Sequence, residues 1–358
     1  MAKEVDDIYN ASCNKVTKEV DDINNDPGIS CFKKCEMIGF NLGSSSAGKQ
    51  PRRPRRIIQP NSYYRNFQTN KCNTRFIVSP QDLLAYECIL FYGPHREYAS
   101  TEVINYDNVR VSYQQLATLR HSEKVYVDKF VINVFCRKMF KDKHPKDSRR
   151  HFFFSTVGDY LMNHEWNQTF LHDTCRRCFT LANGCFKFIA SDYVSSTSLF
   201  FPILHDDHWF LFIVALHDGY FIFLDSFFRE DELYQQNVRS TIIPNFVRAW
   251  DEFIGVDWNF HEFVIHYAHV PKYDMKFFSK YDDGVFVMKF LELWDPRIDM
   301  LQKFSSSNIP DIRVQYMNSM VFSHHNCNSH AKDMVSNHKA MLELKRRPGF
   351  QPSSSLQF

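Results

Sequence analysis

The stretch FPILHDDHWFLFIVALHDGYFIFLDSFF, residues 201–228, constrains the fold more than any other part of the chain. Two apolar runs, 209–216 and 220–224, flank His217-Asp218-Gly219. Asp-Gly between apolar runs is a strong hairpin signal, because the turn needs residues that accept positive φ. The longer run, Trp209 to Leu216, is too short to span a bilayer and suits a buried strand.

Further elements emerge from spacing. Pro244 to Ile254 carries Phe246, Val247, Trp250, Phe253 and Ile254 at helical intervals, and FHEFVIHYAHV, 260–270, reads as another strand. Asp282-Asp283-Gly284 then precedes VFVMKFLELW, 285–294, apolar nearly all round and therefore a buried helix. Upstream, Ser112 is placed to cap a helix, Asp128 to cap another over KVYVDKFVINVFCRKMF, and HFFFSTVGDYLM, 151–162, reads as a strand or turn followed by a helix. Helices, then strands, then one buried helix point to an α+β domain with segregated elements. The stretch from 75 to 110, including LLAYECILFY, yields no firm assignment: a short helical lead-in and a segment packed on the adjacent domain both fit.

The ends read differently. Residues 1–60 repeat KEVDDI at 3–8 and 18–23 and end in GKQPRRPRR, a Ser-, Pro- and Arg-containing composition that cannot bury enough apolar surface to offset its ordering entropy. Its basic cluster, Lys49, Arg52, Arg53, Arg55 and Arg56, fits an import signal and a solvated linker alike. The expected organisation is a disordered tail over 1–60, a lead-in over 61–104, a folded domain over 105–330 and a solvated tail over 331–358. The charged start MAKEVDDIYN lacks an apolar run, so the expected setting is intracellular, nucleus or cytoplasm, with no membrane partner. A net charge of +2 argues against nucleic acid as the main partner. The ten cysteines read as free thiols. Cys175, Cys178 and Cys185 beside His172 could form a zinc site, but interleaved Phe179, Leu181, Phe186 and Phe188 favour buried structural thiols, and neither metal nor cofactor is expected.

The candidate chemistry lies around the hairpin. A cysteine protease needs a thiolate, a histidine to move its proton and an acid to orient the histidine. His208 starts one strand and Asp225 ends its partner, so a turn near 217–219 brings them to the same edge. The buried helix offers a dipole terminus, where a thiolate would be favoured; its tip is Asp283.

These residues resemble the SUMO and related ubiquitin-like-protein cysteine proteases. The family carries a His-Trp pair, an Asp-Ser after the next strand, and a Gln shortly before an Asp-Cys-Gly that opens a helix. Here stand His208-Trp209, Asp225-Ser226 and Asp282-Asp283-Gly284, with VYVDKFVIN, 125–133, and RRHFFFSTVGDYL, 149–161, resembling the family's upstream segments. The likeness runs from about 105 to about 325. It implies a papain-like α+β fold with segregated helices and a small, mostly antiparallel sheet. It also implies cleavage after the Gly-Gly tail of SUMO or another ubiquitin-like protein. In that scheme His208 is the base, Asp225 its orienting acid, and Trp209 one wall of a substrate tunnel.

Three positions depart from the pattern. Asp283 stands at the nucleophile's place, Phe277 near the oxyanion-hole Gln, and Val125 at the tunnel's second Trp. A carboxylate caps a helix well but is a poor nucleophile toward an amide. An Asp282–Asp283 dyad is disfavoured, because adjacent residues at a helix start point apart. Cys185 and Cys327 lie in no helix-start motif. The readings are a pseudoprotease that still binds a ubiquitin-like protein or its conjugates, a working cysteine peptidase with an unrecognised nucleophile, or a decaying, transposon-associated copy.

Overall fold

The computed structural model describes residues 76–121, 125–163, 198–273 and 280–345, all within a unit spanning Pro54–Phe358; the other unit, Met1–Arg53, lies outside the described residues. So do the basic run at 49–56, the Cys175–Cys185 group with His172, and Phe277.

At the centre is a five-stranded sheet in sequence order: β3 (Arg150–Phe152), β4 (Ser198–His205), β5 (His208–Ala215), β6 (Tyr220–Leu224) and β7 (Val264–Tyr267). The two inner pairings, β4–β5 and β5–β6, are antiparallel, and the two outer ones are parallel. The β5–β6 register pairs Leu211 with Leu224 and Ala215 with Tyr220, and Gly219 closes the turn with φ of 73°. All eight residues of β5 are buried, which explains its unbroken apolar run: both faces of the strand are covered.

Alternation along β5 divides the core. Trp209, Leu211, Ile213 and Ala215 join one cluster, with Val131 and Phe135 of α2 (Lys129–Asp142), Phe286 and Phe290 of α5 (Asp283–Leu293), and Ile312 and Met317 of α6 (Ile309–Val321). Phe210, Phe212 and Val214 join the other, with Val157 of α3 (Ser155–Leu161) and Val238, Ile242, Phe246 and Trp250 of α4 (Leu233–Phe253). Asp128 caps α2 by accepting from the Phe130 N–H at 2.8 Å.

Three segments differ from the sequence expectations. Helix α4 begins at Leu233 and carries Pro244 in its interior, whereas Pro244 suggested a start. The unassigned stretch holds α1 (Pro80–Tyr92), entered through a reciprocal Ser79–Asp82 capping box. The β1–β2 hairpin comes next (Glu102–Tyr106, Val109–Ser112), turning through Asp107 and Asn108 at positive φ. The expected solvated tail contains α7 (Ser329–Lys345), whose Ala331 and Val335, four residues apart, are buried in the first cluster. No described helix is long and apolar enough to cross a membrane.

Candidate active site

Strand geometry alone brings His208 and Asp225 together. Extending the β5–β6 register places Asp225 opposite Phe210, two residues from His208 and on the same face. The His208 Nε2 lies 3.0 Å from Asp225 Oδ1. The other ring nitrogen, Nδ1, faces Asp283 Oδ2 at 3.2 Å. The imidazole is thus held between two carboxylates, one from the end of β6 and one from the start of α5.

Each carboxylate is fixed independently. Asp225 Oδ1 also accepts from the backbone N–H groups of Phe227 and Phe228, at 2.6 and 2.9 Å, and Gln235 of α4 donates its side-chain N–H to Oδ2. Lys272 locks the same loop by donating to the carbonyls of Asp225 and Phe228. Asp283 Oδ2 accepts from the Trp209 N–H at 2.8 Å, and Oδ1 from the Gly284 N–H at 2.7 Å. Sited in the first turn of α5, Asp283 also meets the positive end of the helix dipole. Its neighbour Asp282 points elsewhere, into a buried ion pair with Arg313, which also donates to the Tyr281 carbonyl. The two adjacent aspartates therefore serve different partners and form no dyad.

Burial and charge set the protonation. Asp283 is completely buried and His208 is 8% exposed. Burial alone pulls His208 down, but Asp225 and then Asp283 outweigh it and raise its pKa to about 9. Burial likewise pushes Asp283 above the ordinary carboxylate range, while the bonds from His208, Trp209 and Gly284 pull it back. Every one of these partners is a donor, an arrangement that suits the ionised carboxylate. Asp225 and Asp283 face the imidazole from its two sides, and their proximity favours its protonated form.

This array makes stability depend on pH. Because the folded-state value of His208 lies above its ordinary 6.5, the stability it contributes is full below about pH 6.5 and is lost as pH rises through about 9. Thermal melts from pH 6.5 to 10 should show a falling Tm across that window, and the fall should vanish in His208→Gln. A flat profile in the native chain would mean that His208 is neutral.

Trp209 lies on the opposite face of β5 from His208 and is fully buried. A Cβ at position 284 would sit 2.7 Å from Val127 Cβ and 3.3 Å from Trp209 Cδ1, so only glycine lets α5 approach this closely. Val125, which the resemblance aligns with the family's second tunnel Trp, is half-buried. Ser226, next to Asp225, is buried. The described cysteines lie on other elements: Cys88 in α1 and Cys136 in α2, both buried, and exposed Cys327 before α7. Burial pushes the Cys88 thiol up to about 12. Among the described residues no group of His, Cys, Asp and Glu side chains could hold a metal ion.

Gln235 and Lys272 escaped the sequence reading. Neither belongs to a motif, and Gln235 sits in the part of α4 that precedes Pro244. A spacing signal existed: Gln235, Val238, Ile242 and Phe246 recur at helical intervals and are all buried.

The sequence pattern of the Ulp1 protease family, C-terminal catalytic domain, matches residues 126–325, more than half of the chain. The fold is similar to that of the C-terminal Ulp1 protease domain solved in complex with Smt3, the yeast ortholog of SUMO. The TM-score is 0.53 at 15% identity, covering 70% of this chain and 98% of that one. It is also similar to the Ulp1-like SUMO protease catalytic domain of Chaetomium thermophilum, with TM-score 0.51 and 15% identity, covering 68% and 89%. No curated protein sequence matches the chain.

Proposed function

Because this chain belongs to the Ulp1 protease family, we propose that it is a pseudoprotease: a binding module for SUMO or another ubiquitin-like protein, and for its conjugates, that does not cleave them. The observation that carries this reading is the carboxylate of Asp283 at the helix-start position, 3.2 Å from the ring nitrogen of His208 that would face a nucleophile. In the family's scheme His208 takes the proton of a thiol at position 283, and Asp225 orients the imidazole. Here both nitrogens of the ring are occupied by carboxylates, and its proton has no thiol to return to. Asp283 can neither lose a proton to His208 nor attack an amide carbonyl usefully.

The substitution preserves what a thiolate would provide structurally. It places a negative charge beside His208 and a hydrogen-bond acceptor at the head of α5, so the surrounding surface can keep its shape without turnover. The matched region and the two solved relatives support retention of modifier binding, since one of those relatives was captured with SUMO bound.

The test uses the purified chain with SUMO and ubiquitin carrying a fluorogenic group on the Gly-Gly terminus. Fluorophore release at the uncatalysed rate, together with saturable binding of one modifier by calorimetry, is the expected result. Sustained turnover would sink the pseudoprotease reading and send the search for a nucleophile to residues outside the described segments.

A further inference from the structure

The buried charge pattern bears on which form of a modifier the site accepts, and this inference rests on the pseudoprotease reading above. A nucleophile must come within contact of the carbonyl carbon that it attacks, at about 3–3.5 Å. A tail bound in that manner therefore sets its last carbonyl against position 283. In a conjugate or an unprocessed precursor this carbonyl belongs to a neutral amide. In the free, processed modifier it is a carboxylate.

At position 283 the tail meets the carboxyl group of Asp283, held in place by three protein groups. Asp283 is completely buried, and its three donors are protein groups already committed to it. His208, the cation in direct contact, is spent between Asp283 and Asp225. Lys272 is committed to the backbone carbonyls of Asp225 and Phe228. Arg313 is committed to Asp282, the Tyr281 carbonyl and the Arg120 carbonyl. A third carboxylate would thus enter beside Asp283 in a poorly solvated site, with His208, Lys272 and Arg313 engaged among the described residues, and like charges so placed repel strongly. A neutral amide carries no such penalty.

We propose that this site selects amide-linked carboxyl termini, those of conjugates and precursors, over the free C-terminal acid of the same modifier. The replacement of a thiol by Asp283 would then be a specificity change as well as a loss of turnover.

The experiment compares two probes by calorimetry at pH 7 with the full chain: SUMO ending in the Gly-Gly acid, and the same protein ending in the Gly-Gly amide. The amide form is expected to bind at least tenfold tighter. Asp283→Asn, close to isosteric and uncharged, should bring the two within about threefold, chiefly by tightening the acid; Asp283→Ser serves as a second neutral variant. Equal affinities for acid and amide in the native chain, a comparison that needs no variant, overturn the selection and leave the binding reading standing. A preference that persists in both neutral variants overturns its assignment to Asp283. Failure of both probes to bind removes the pseudoprotease reading itself, and the selection with it.

Discussion

Replacing His208 with alanine is expected to destabilise the folded chain by about 3–5 kcal/mol, the range for breaking a buried ion pair from one side. The cause is Asp283. Its carboxylate is fully buried, and without the imidazolium it keeps only two backbone N–H bonds and the helix dipole. Water would reach it through a cavity the size of the lost ring, which recovers part of the solvation. Asp225 suffers less, because Gln235 and the Phe227 and Phe228 amides continue to donate to it. Urea unfolding at pH 7 should show the midpoint falling with the slope unchanged. The deficit should shrink as pH falls, because burial has raised the value at which Asp283 takes up a proton, and the acid form is cheap to bury. His208→Ala/Asp283→Ala should recover much of the loss, since no orphaned charge remains. A single-variant loss below 1 kcal/mol with the fold intact would mean that the array is not ionised.

The legible part of the site was the part set by short-range geometry. A hairpin with a turn at 217–219 fixes the register of its two strands, and the register fixes which end residues share a face. The His208–Asp225 contact arises from that alone. The third member, Asp283, lies 74 residues beyond Trp209 and came from the resemblance together with the buried-helix pattern. The rest lacked a local signature. Gln235 is an ordinary helix residue until the fold sets it under Asp225, and Pro244 disguised the helix that carries it, because proline is favoured at a first turn. In α7 buried Ala331 and Val335 and partly buried Met334 mark the packed face among the described residues, too thin a stripe to distinguish from a charged tail. The β1–β2 hairpin turns on Asp107-Asn108 rather than on Asn-Gly or Asp-Gly, so its turn carried a weak signal. The parallel outer pairings of the sheet depend on long crossovers, which strand patterns do not encode.

Asp283→Cys is expected to give the largest functional change of any single substitution. The new thiol would stand at the N-terminal turn of an eleven-residue helix, next to His208 held by Asp225, an environment that lowers thiol pKa values. With one carboxylate gone, His208 keeps Asp225 as its orienting partner and regains a proton donor on its other side. The Trp209 and Gly284 N–H groups, which now bind the Asp283 oxygens at 2.8 and 2.7 Å, would be released toward the position of the reacting carbonyl. They can partly replace an oxyanion-hole side chain. Removing the nucleophile of a serine triad costs on the order of 10⁶ in turnover, so the gain has ample room. By the resemblance the family's Gln falls near residue 277, which is Phe here, and one missing oxyanion donor costs on the order of 10²–10³. The expected outcome is therefore cleavage of a Gly-Gly-linked fluorogenic tail at least about 10³-fold above the native chain, yet two to three orders below an intact family enzyme. The activity should disappear again in Asp283→Cys/His208→Gln, which separates triad chemistry from a merely exposed thiol. If Asp283→Cys binds the modifier as the native chain does and still cleaves nothing, position 283 was not the last part of the machinery to be lost, and the site's geometry serves the buried charge array alone.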